Sequence, residues 1–230
     1  MVEEKKGLSS DFLKIIAFVT MIIDHTGLIL KGVLPDYLYV ACRVVGRLSF
    51  PIFAYCVVEG FVHTSNYKKY IIRMWVLAFI SELPFNLMTS GKWLYDGGAN
   101  VLFTFAVALL VLGVFKWAED KGMKGRISAY AAMSVAIVGT YFLHTDYSWV
   151  GIIFIVVLYC LRNMPEYKYV CGSVIMWLNG SLYNLAAPLA FVPIYFCNGR
   201  KGRLTKWITY SIYPLHMLVL GLIREVVIYG

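Results

Sequence analysis

Charge is scarce in this chain. Only 15% of its 230 residues are Asp, Glu, Lys or Arg, against 60% hydrophobic residues, and the mean hydropathy is +0.70. A soluble domain carries about 25% charged and about 45–50% apolar residues, so a water-soluble globule of this size would have nowhere to hide so much apolar surface. The cysteines are few and isolated. They stand at 42, 56, 160, 171 and 197, each inside an apolar run and with no CxxC, which excludes a disulfide scaffold and reads as buried thiols. The four histidines are scattered without an HExxH, so a metal site has no support. No GxSxG, Walker A or GxGxxG occurs, and a serine acyl-enzyme, ATP and NAD chemistry are left without a motif.

What the chain does have is a succession of apolar runs. Crossing a hydrocarbon core of ~30 Å takes roughly 20 helical residues. Runs of about that length, or nearly so, lie at 12–34, 40–62, 69–89, 100–118, 127–143, 147–162, 168–180, 182–197 and 206–228, the sixth to eighth being short. Lys5 and Lys6 ahead of the first run resemble a signal sequence. That run, however, carries Asp24 and His25 and has no small-residue cleavage site, so a retained first span is expected. The break at Asn179–Gly180–Ser181 is the weakest in the series, and eight or ten spans are the neighbouring counts.

The +8 net charge does not point to nucleic acid, because position matters more than the sum. With the N-terminus placed in the cytoplasm, the inside set holds Lys5, Lys6 and Lys14, then Lys68, Lys69 and Arg73, then Lys116, Lys121, Lys124 and Arg126. Arg162, Lys168, Arg200, Lys201, Arg203 and Lys206 complete it. Sixteen of the 21 basic residues are thereby inside; only Lys31, Lys92 and Arg224 are outside, and Arg43 and Arg47 lie within the second run. Positive charge follows the cytoplasmic side in membrane proteins. The expected fold is an all-α integral membrane protein, a polytopic bundle of about nine spans with kinked helices around a polar cavity. Residues 1–230 form one multi-pass domain, with the N-terminus inside and the lipid bilayer as its surroundings.

Ionisable groups inside a span are costly and usually face a partner or a cavity. At ~1.5 Å per residue, His25 lies ~21 Å along the first helix from Asp11, and Glu82 lies ~20 Å along the third from Lys69. Arg43 and Arg47 share one helix face at i, i+4 spacing on a run that enters from the opposite side. Asp24, His25, Arg47 and Glu82 are therefore expected in one layer. Pro51, Pro84 and Pro214 interrupt the second, third and last runs near these residues, and each frees a carbonyl. Around Pro214 stand Tyr213 and His216, on a span that can close the cavity from another side.

Each of these residues also has a plainer reading. Arg43 and Glu82 suit a buried ion pair that fixes helix packing, and His25 suits an interhelical hydrogen bond. His63 and His144 fall at span ends as interfacial groups, and Glu59 can snorkel. Trp93, Tyr95, Trp117, Tyr147, Trp149 and Trp207 read as an interface belt. As a site, the layer fits general-base catalysis by His25, with Arg47 or Tyr213 stabilising an oxyanion. Acyl transfer from a thioester needs little more, because the donor is already activated. The cytoplasmic basic clusters then suit the phosphates of coenzyme A, although topology alone also explains them.

The stretch Leu13-Lys14-Ile15-Ile16-Ala17, continuing to Met21-Ile22-Ile23-Asp24-His25, opens a series of blocks. Gly46-Arg47-Leu48-Ser49-Phe50-Pro51-Ile52-Phe53 follows, then Glu59-Gly60-Phe61, His63-Thr64, and Tyr70 with Arg73. Ser81-Glu82-Leu83-Pro84-Phe85-Asn86, Asn100-Val101-Leu102-Phe103-Thr104 and Tyr213-Pro214-Leu215-His216 complete it. As an ordered set these resemble the TraX family, with 120–205 the least distinctive region. The resemblance implies a membrane acyltransferase of the bacterial cytoplasmic membrane that uses acetyl-CoA as donor and no metal. The family's known case is acetylation of the N-terminal amine of F-type pilin. It is also similar to a wider group of membrane acyltransferases with a first-span His as base, which His25 matches; Asp24, Arg47, Glu82 and Asn86 match other motif positions.

The expected site is thus His25, Asp24, Arg47 and Glu82 as the catalytic group, with Arg43, Asn86, Asn100, Tyr213 and His216 lining the cavity. Lys69, Arg73, Arg126 and Arg203 are the expected coenzyme A contacts. The acceptor stays open between a protein N-terminus, a glycan and a lipid. Two other readings compete: a transporter of a small molecule or protons through the same polar layer, and a purely structural assembly factor for surface appendages. No inverted repeat is visible, which counts against the transporter.

Overall fold

The computed structural model describes residues 7–95, 97–179, 182–200, 202 and 204–229, the side chains of 206 and 227–229 excepted. Ten α-helices and one 3-10 helix account for nearly all of them, and among the described residues there is no strand, only an isolated parallel bridge between Leu8 and Cys197. The helices are α1 (Ser10–Ile29), α2 (Asp36–Gly46), α3 (Ser49–His63), α4 (Tyr67–Ser90) and α5 (Val101–Ala118). After them come α6 (Gly122–Phe142), α7 (Ser148–Cys160), α8 (Pro165–Trp177), the 3-10 helix (Leu182–Ala190) running into α9 (Phe191–Tyr195), and α10 (Lys206–Tyr229).

With α2–α3 taken as one broken rod and the 3-10 helix with α9 as another, nine segments match the nine runs of the sequence. Among the described residues, four are long and apolar enough to cross a membrane: Ser10–Ile29, Asp36–His63, Tyr67–Ser90 and Val101–Ala118. Ser148–Cys160 and Leu182–Tyr195 are shorter apolar helices. The connection through Gly180 and Ser181 lies outside the described residues, as do Lys5, Lys6, Lys201 and Arg203.

Local chemistry sets the helix limits. Ser9 caps α1 by accepting from the Phe12 amide at 3.3 Å, and Asn66 caps α4 by accepting from Lys69 N–H at 3.0 Å. Helix α4 ends on Gly91 at φ 75°, whose N–H returns to the Leu87 carbonyl, a left-handed stop that suits glycine. Pro165 opens α8, where its missing N–H costs nothing. Pro51 falls in the first turn of α3, so the break expected there lies just upstream, at Arg47–Leu48. Pro84 and Pro214 sit within α4 and α10, which run on through them.

The segments alternate between two ends of the bundle. At the end where α1 begins, Asn198 N–H donates to the Leu8 carbonyl and Leu204 N–H to Asp11. Tyr159 donates to Glu119 there at 2.9 Å. At the opposite, distal end, Asp146 N–H donates to the Ala99 carbonyl at 3.0 Å, and Thr104 Oγ1 bonds both Thr145 Oγ1 and the Asp146 carbonyl. These bonds tie the loop before α5 to the loop before α7.

The core runs through the middle, with Leu13, Ala17, Ile52, Phe61, Ala78, Leu109, Leu112, Phe154 and Met217 almost wholly buried. Helix α4 shows why lipid is the complementary solvent. Ile71, Met74, Ala78 and Ser81 face inward, while Ile72, Val76, Phe79 and Ile80 are 52–63% exposed on the other side. A helix apolar all round belongs in a membrane or a large core.

Helices α1 and α2 approach unusually closely. A Cβ at Gly46 would stand 2.2 Å from Cβ of Asp24, and one at Gly27 would stand 2.5 Å from Cβ of Cys42. Cys42-x-x-x-Gly46 is thus a small-residue stripe that lets two backbones meet, the usual device between helices in lipid.

Candidate functional site

That close approach puts Asp24 of α1 directly beneath the two arginines of the second segment. Arg47 donates from Nη2 to both carboxylate oxygens of Asp24, at 3.0 and 2.9 Å, and Arg43 Nη1 lies 3.1 Å from Oδ1. The i, i+4 spacing thus delivers both arginines to one acid. Arg47 also donates from Nε to the Arg43 carbonyl at 3.3 Å and from Nη1 to the Tyr147 hydroxyl at 3.4 Å. Asp24 is buried, and one carboxylate between two guanidiniums meets the demand that buried charge be paired.

One residue further along α1, His25 turns to α10. Its Nδ1 lies 2.9 Å from Nε2 of His216, and Nδ1 of His216 lies 2.9 Å from the Ile212 carbonyl one turn earlier. The imidazole planes are 10° apart with centroids separated by 5.1 Å. A nitrogen contact that short at that separation requires both nitrogens to lie near the line between the centroids. The rings therefore meet edge to edge in nearly one plane, as a hydrogen bond requires, rather than face to face.

Asp24, His25, Gly46, Arg47, Asp146, Tyr147 and Tyr213 surround a cavity of about 50 Å³, together with Met21, Phe50, Phe53, Phe85 and Phe105. Its wall is as much aromatic as polar, and the space is a small one. Room on the order of 10–15 Å³ suffices for one water, so it takes water or a small group. Tyr213 is buried, sits edge-on to His216 with centroids 5.6 Å apart, and lines the cavity.

Glu82 does not join Asp24. Its Oε2 accepts from the side chain of Asn100 at 2.6 Å and from its backbone N–H at 3.2 Å. Asn100 in turn donates to the Ala78 carbonyl and caps α5 by accepting from Leu102 N–H at 3.0 Å. This pair fastens α4 to the start of α5. Asn86 is buried on α4, donates to the Trp93 carbonyl at 3.5 Å, and leaves its side-chain oxygen without a partner.

The residues expected to hold coenzyme A are spread over two helices. Lys69 is exposed on the first turn of α4, and Arg73 lies one turn on, 5.8 Å from the Tyr70 ring centroid. Arg126 is on α6, with α5 between, where it lines a second cavity of about 240 Å³ with Glu119 and Tyr130. Arg203 lies outside the described residues. Among the described residues, no three His, Cys, Asp or Glu side chains gather as metal ligands would.

Sequence reasoning missed two residues. Tyr147, which reads as a belt residue, turns inward and stacks on Phe50 with centroids 3.7 Å apart. Its φ of 60° at the start of α7 swings the ring from the interface to Arg47, and no periodicity announces such a turn. Asp146 arrives with it. An acidic residue in a short connection carries no signal beyond the loop itself.

The family model described as TraX protein matches residues 9–224 of the chain. Among characterised sequences, the chain is similar to a probable fimbrial assembly protein FimC, serogroup H1, of Dichelobacter nodosus, with 29% identity over 90% of this chain and 92% of that one. It is also similar to Protein TraX of Escherichia coli, 32% identical over 68% of this chain, the match spanning 57% of that protein. The Protein TraX of Escherichia coli strain K12 is 30% identical over 68% of this chain and 57% of that protein. No solved structure matches.

Proposed function

Since the chain belongs to the TraX family, we propose that it is a membrane-embedded acyltransferase, moving acetyl from cytoplasmic acetyl-CoA to an amine or hydroxyl acceptor with His25 as general base. The carrying observation is that His25 lines the cavity while hydrogen-bonded through Nδ1, beside a fixed cationic group and the side chains of Tyr147 and Tyr213.

In this reaction His25 takes the proton from the attacking nitrogen or oxygen of the acceptor, which bonds to the thioester carbonyl carbon. The C–S bond then breaks, and the imidazolium returns the proton to the departing thiolate. Between these steps the carbonyl oxygen carries negative charge and needs a preorganised donor. Arg47 already spends three of its nitrogens on Asp24, Arg43 and Tyr147. Tyr213 is a cavity hydroxyl placed to donate, as is Tyr147, which accepts from Arg47 and keeps its own O–H, and Arg47 contributes its positive field.

The cavity suits the acetyl end of the donor and is far too small for a nucleotide. We therefore assign the nucleotide to Lys69, Arg73 and Arg126, at the end where α1 begins, together with Arg203; the 16-to-3 distribution of basic residues supports a cytoplasmic position for that end. His25 lies ~21 Å from that end by helical rise, a distance comparable to that spanned by an extended pantetheine arm. The name of the Dichelobacter relative, a probable fimbrial assembly protein, is the reason to try a fimbrial subunit first as acceptor.

Purified protein incubated with radiolabelled acetyl-CoA and membrane extract tests the reading. Label should pass to an acceptor, and His25→Ala should abolish transfer while donor binding persists. Absence of transfer to any protein, glycan or lipid by well-folded protein would leave the second reading suggested by the relative's name, assembly without chemistry.

A further inference from the structure

His25 and His216 are 191 positions apart in sequence and share one short nitrogen-to-nitrogen contact. The carbonyl at the far side fixes how it is made. A carbonyl oxygen only accepts, so Nδ1 of His216 must carry the proton that bonds Ile212 at 2.9 Å. In a neutral ring the other nitrogen, Nε2, is then an acceptor. The 2.9 Å contact requires one proton, and only Nδ1 of His25 can supply it. With that proton assigned, Nε2 of His25 holds a bare lone pair, since the ring's hydrogen bond to His216 runs through Nδ1. Two neutral rings and one carbonyl thus allow a single arrangement.

We propose that His216 is the positioning residue of the acyltransfer reaction: it sets the tautomer and ring plane of His25, so that Nε2 faces the acceptor as a base. The proposal rests on the acyltransferase reading for its chemistry, though not for its proton assignment. The logic is that of a base held by a third group, with a histidine and a backbone carbonyl in the place often taken by a carboxylate. When Nε2 takes the acceptor's proton, the Nδ1–H to His216 bond becomes charge-assisted and strengthens. The imidazolium is therefore stabilised more than the neutral ring, which favours the step that forms it. Neither carboxylate of the cavity bonds His25: Asp24 is held by Arg43 and Arg47, and Asp146 accepts from the Tyr147 N–H. This leaves His216 as the group that orients the base.

Two measurements test the assignment. The chain has only four histidines, so their ring nitrogens can be assigned by single substitutions in histidine-¹⁵N-labelled protein in detergent. Neutral His25 should show a protonated, pyrrole-type Nδ1 and a pyridine-type Nε2, and His216→Ala should abolish that preference. In the transfer assay, His216→Ala should lower kcat by about 10²-fold, toward the lower end of what a general base contributes, with KM for acetyl-CoA unchanged. His216→Gln, whose amide oxygen reaches the place of Nε2 and accepts from Nδ1 of His25, should recover most of the loss. A wild-type His25 protonated on Nε2, or a His216→Ala protein with wild-type kcat, would overturn the proposal. Should the wild type transfer no acetyl at all, the acyltransferase reading fails, and the nitrogen spectra alone decide the dyad.

Discussion

Asp24 and Arg47, 23 positions apart in the chain, meet through two hydrogen bonds of 2.9 and 3.0 Å from one guanidinium nitrogen. Arg43 occupies the same acid from another side at 3.1 Å. A single buried carboxylate therefore holds two cations, and removing it leaves both without their counter-ion.

Asp24→Asn should accordingly destabilise the protein strongly. Breaking a buried pair from one side costs about 3–5 kcal/mol, because uncompensated charge is left behind. Arg43→Gln should cost less, since Arg47 keeps Asp24 paired. Thermal unfolding in detergent measures both, and an Asp24→Asn protein as stable as wild type would contradict the pairing.

The close approach of α1 and α2 gives a second test with an internal control. A methyl group at Gly46 meets Asp24 at 2.2 Å, so Gly46→Ala should cost about 1–3 kcal/mol as overpacking does. At Gly139, within α6, a Cβ would meet nothing within 4 Å. Gly139→Ala should therefore be neutral or stabilising by up to about 1 kcal/mol. Equal melting temperatures for the two variants would refute the close contact.

Glu82 and His25 should separate in kinetics. Glu82 bonds Asn100 and fastens α5, whereas His25 lines the cavity. Glu82→Gln keeps an acceptor oxygen for Asn100 and should retain turnover within about tenfold, against about 10²–10⁴ for loss of a general base at His25. A Glu82→Gln protein as inactive as His25→Ala, and equally well folded, would return Glu82 to the chemistry.

Orientation is checked by labelling single cysteines in a background lacking the five native ones. Positions 68 and 121 should react only with reagents that reach the cytoplasm, and position 31 from the outside. Modification of position 121 by an impermeant external reagent would reverse the topology.

Charge reversal addresses the donor. Lys69→Glu, Arg73→Glu or Arg126→Glu should raise KM for acetyl-CoA at one or more positions while kcat changes little. Intact donor affinity in all three would move the nucleotide elsewhere.

Depth was legible in the sequence, and azimuth was not. Helical rise alone brought Asp24, His25 and Arg47 to one layer from two directions, and the structure joins Asp24 to Arg47 there. The same arithmetic placed Glu82 at that depth without showing that it faces Asn100 rather than an arginine, because a rise per residue says nothing of rotation about the axis. Proximity to Pro214 predicts His216 in the cavity lining, whereas the structure sets it behind His25, outside that lining. Its bond to His25 depends on how α10 leans on α1, which no local pattern encodes. Tyr147 was hidden for another reason: it points inward from a turn in which both Tyr147 and Ser148 take left-handed backbone angles.

The missing side chain at Gly46 has a mechanical consequence. With backbone against carboxylate at that point, α1 and α2 cannot slide or rotate past one another without collision. Asp24, Arg43, Arg47 and His25 thus travel together as one stiff plate. Any breathing of the cavity has to come from elements not clamped to it, among them α10 with Tyr213 and His216. The histidine contact is the seam between these parts, the point where α10 meets the plate through a side-chain hydrogen bond.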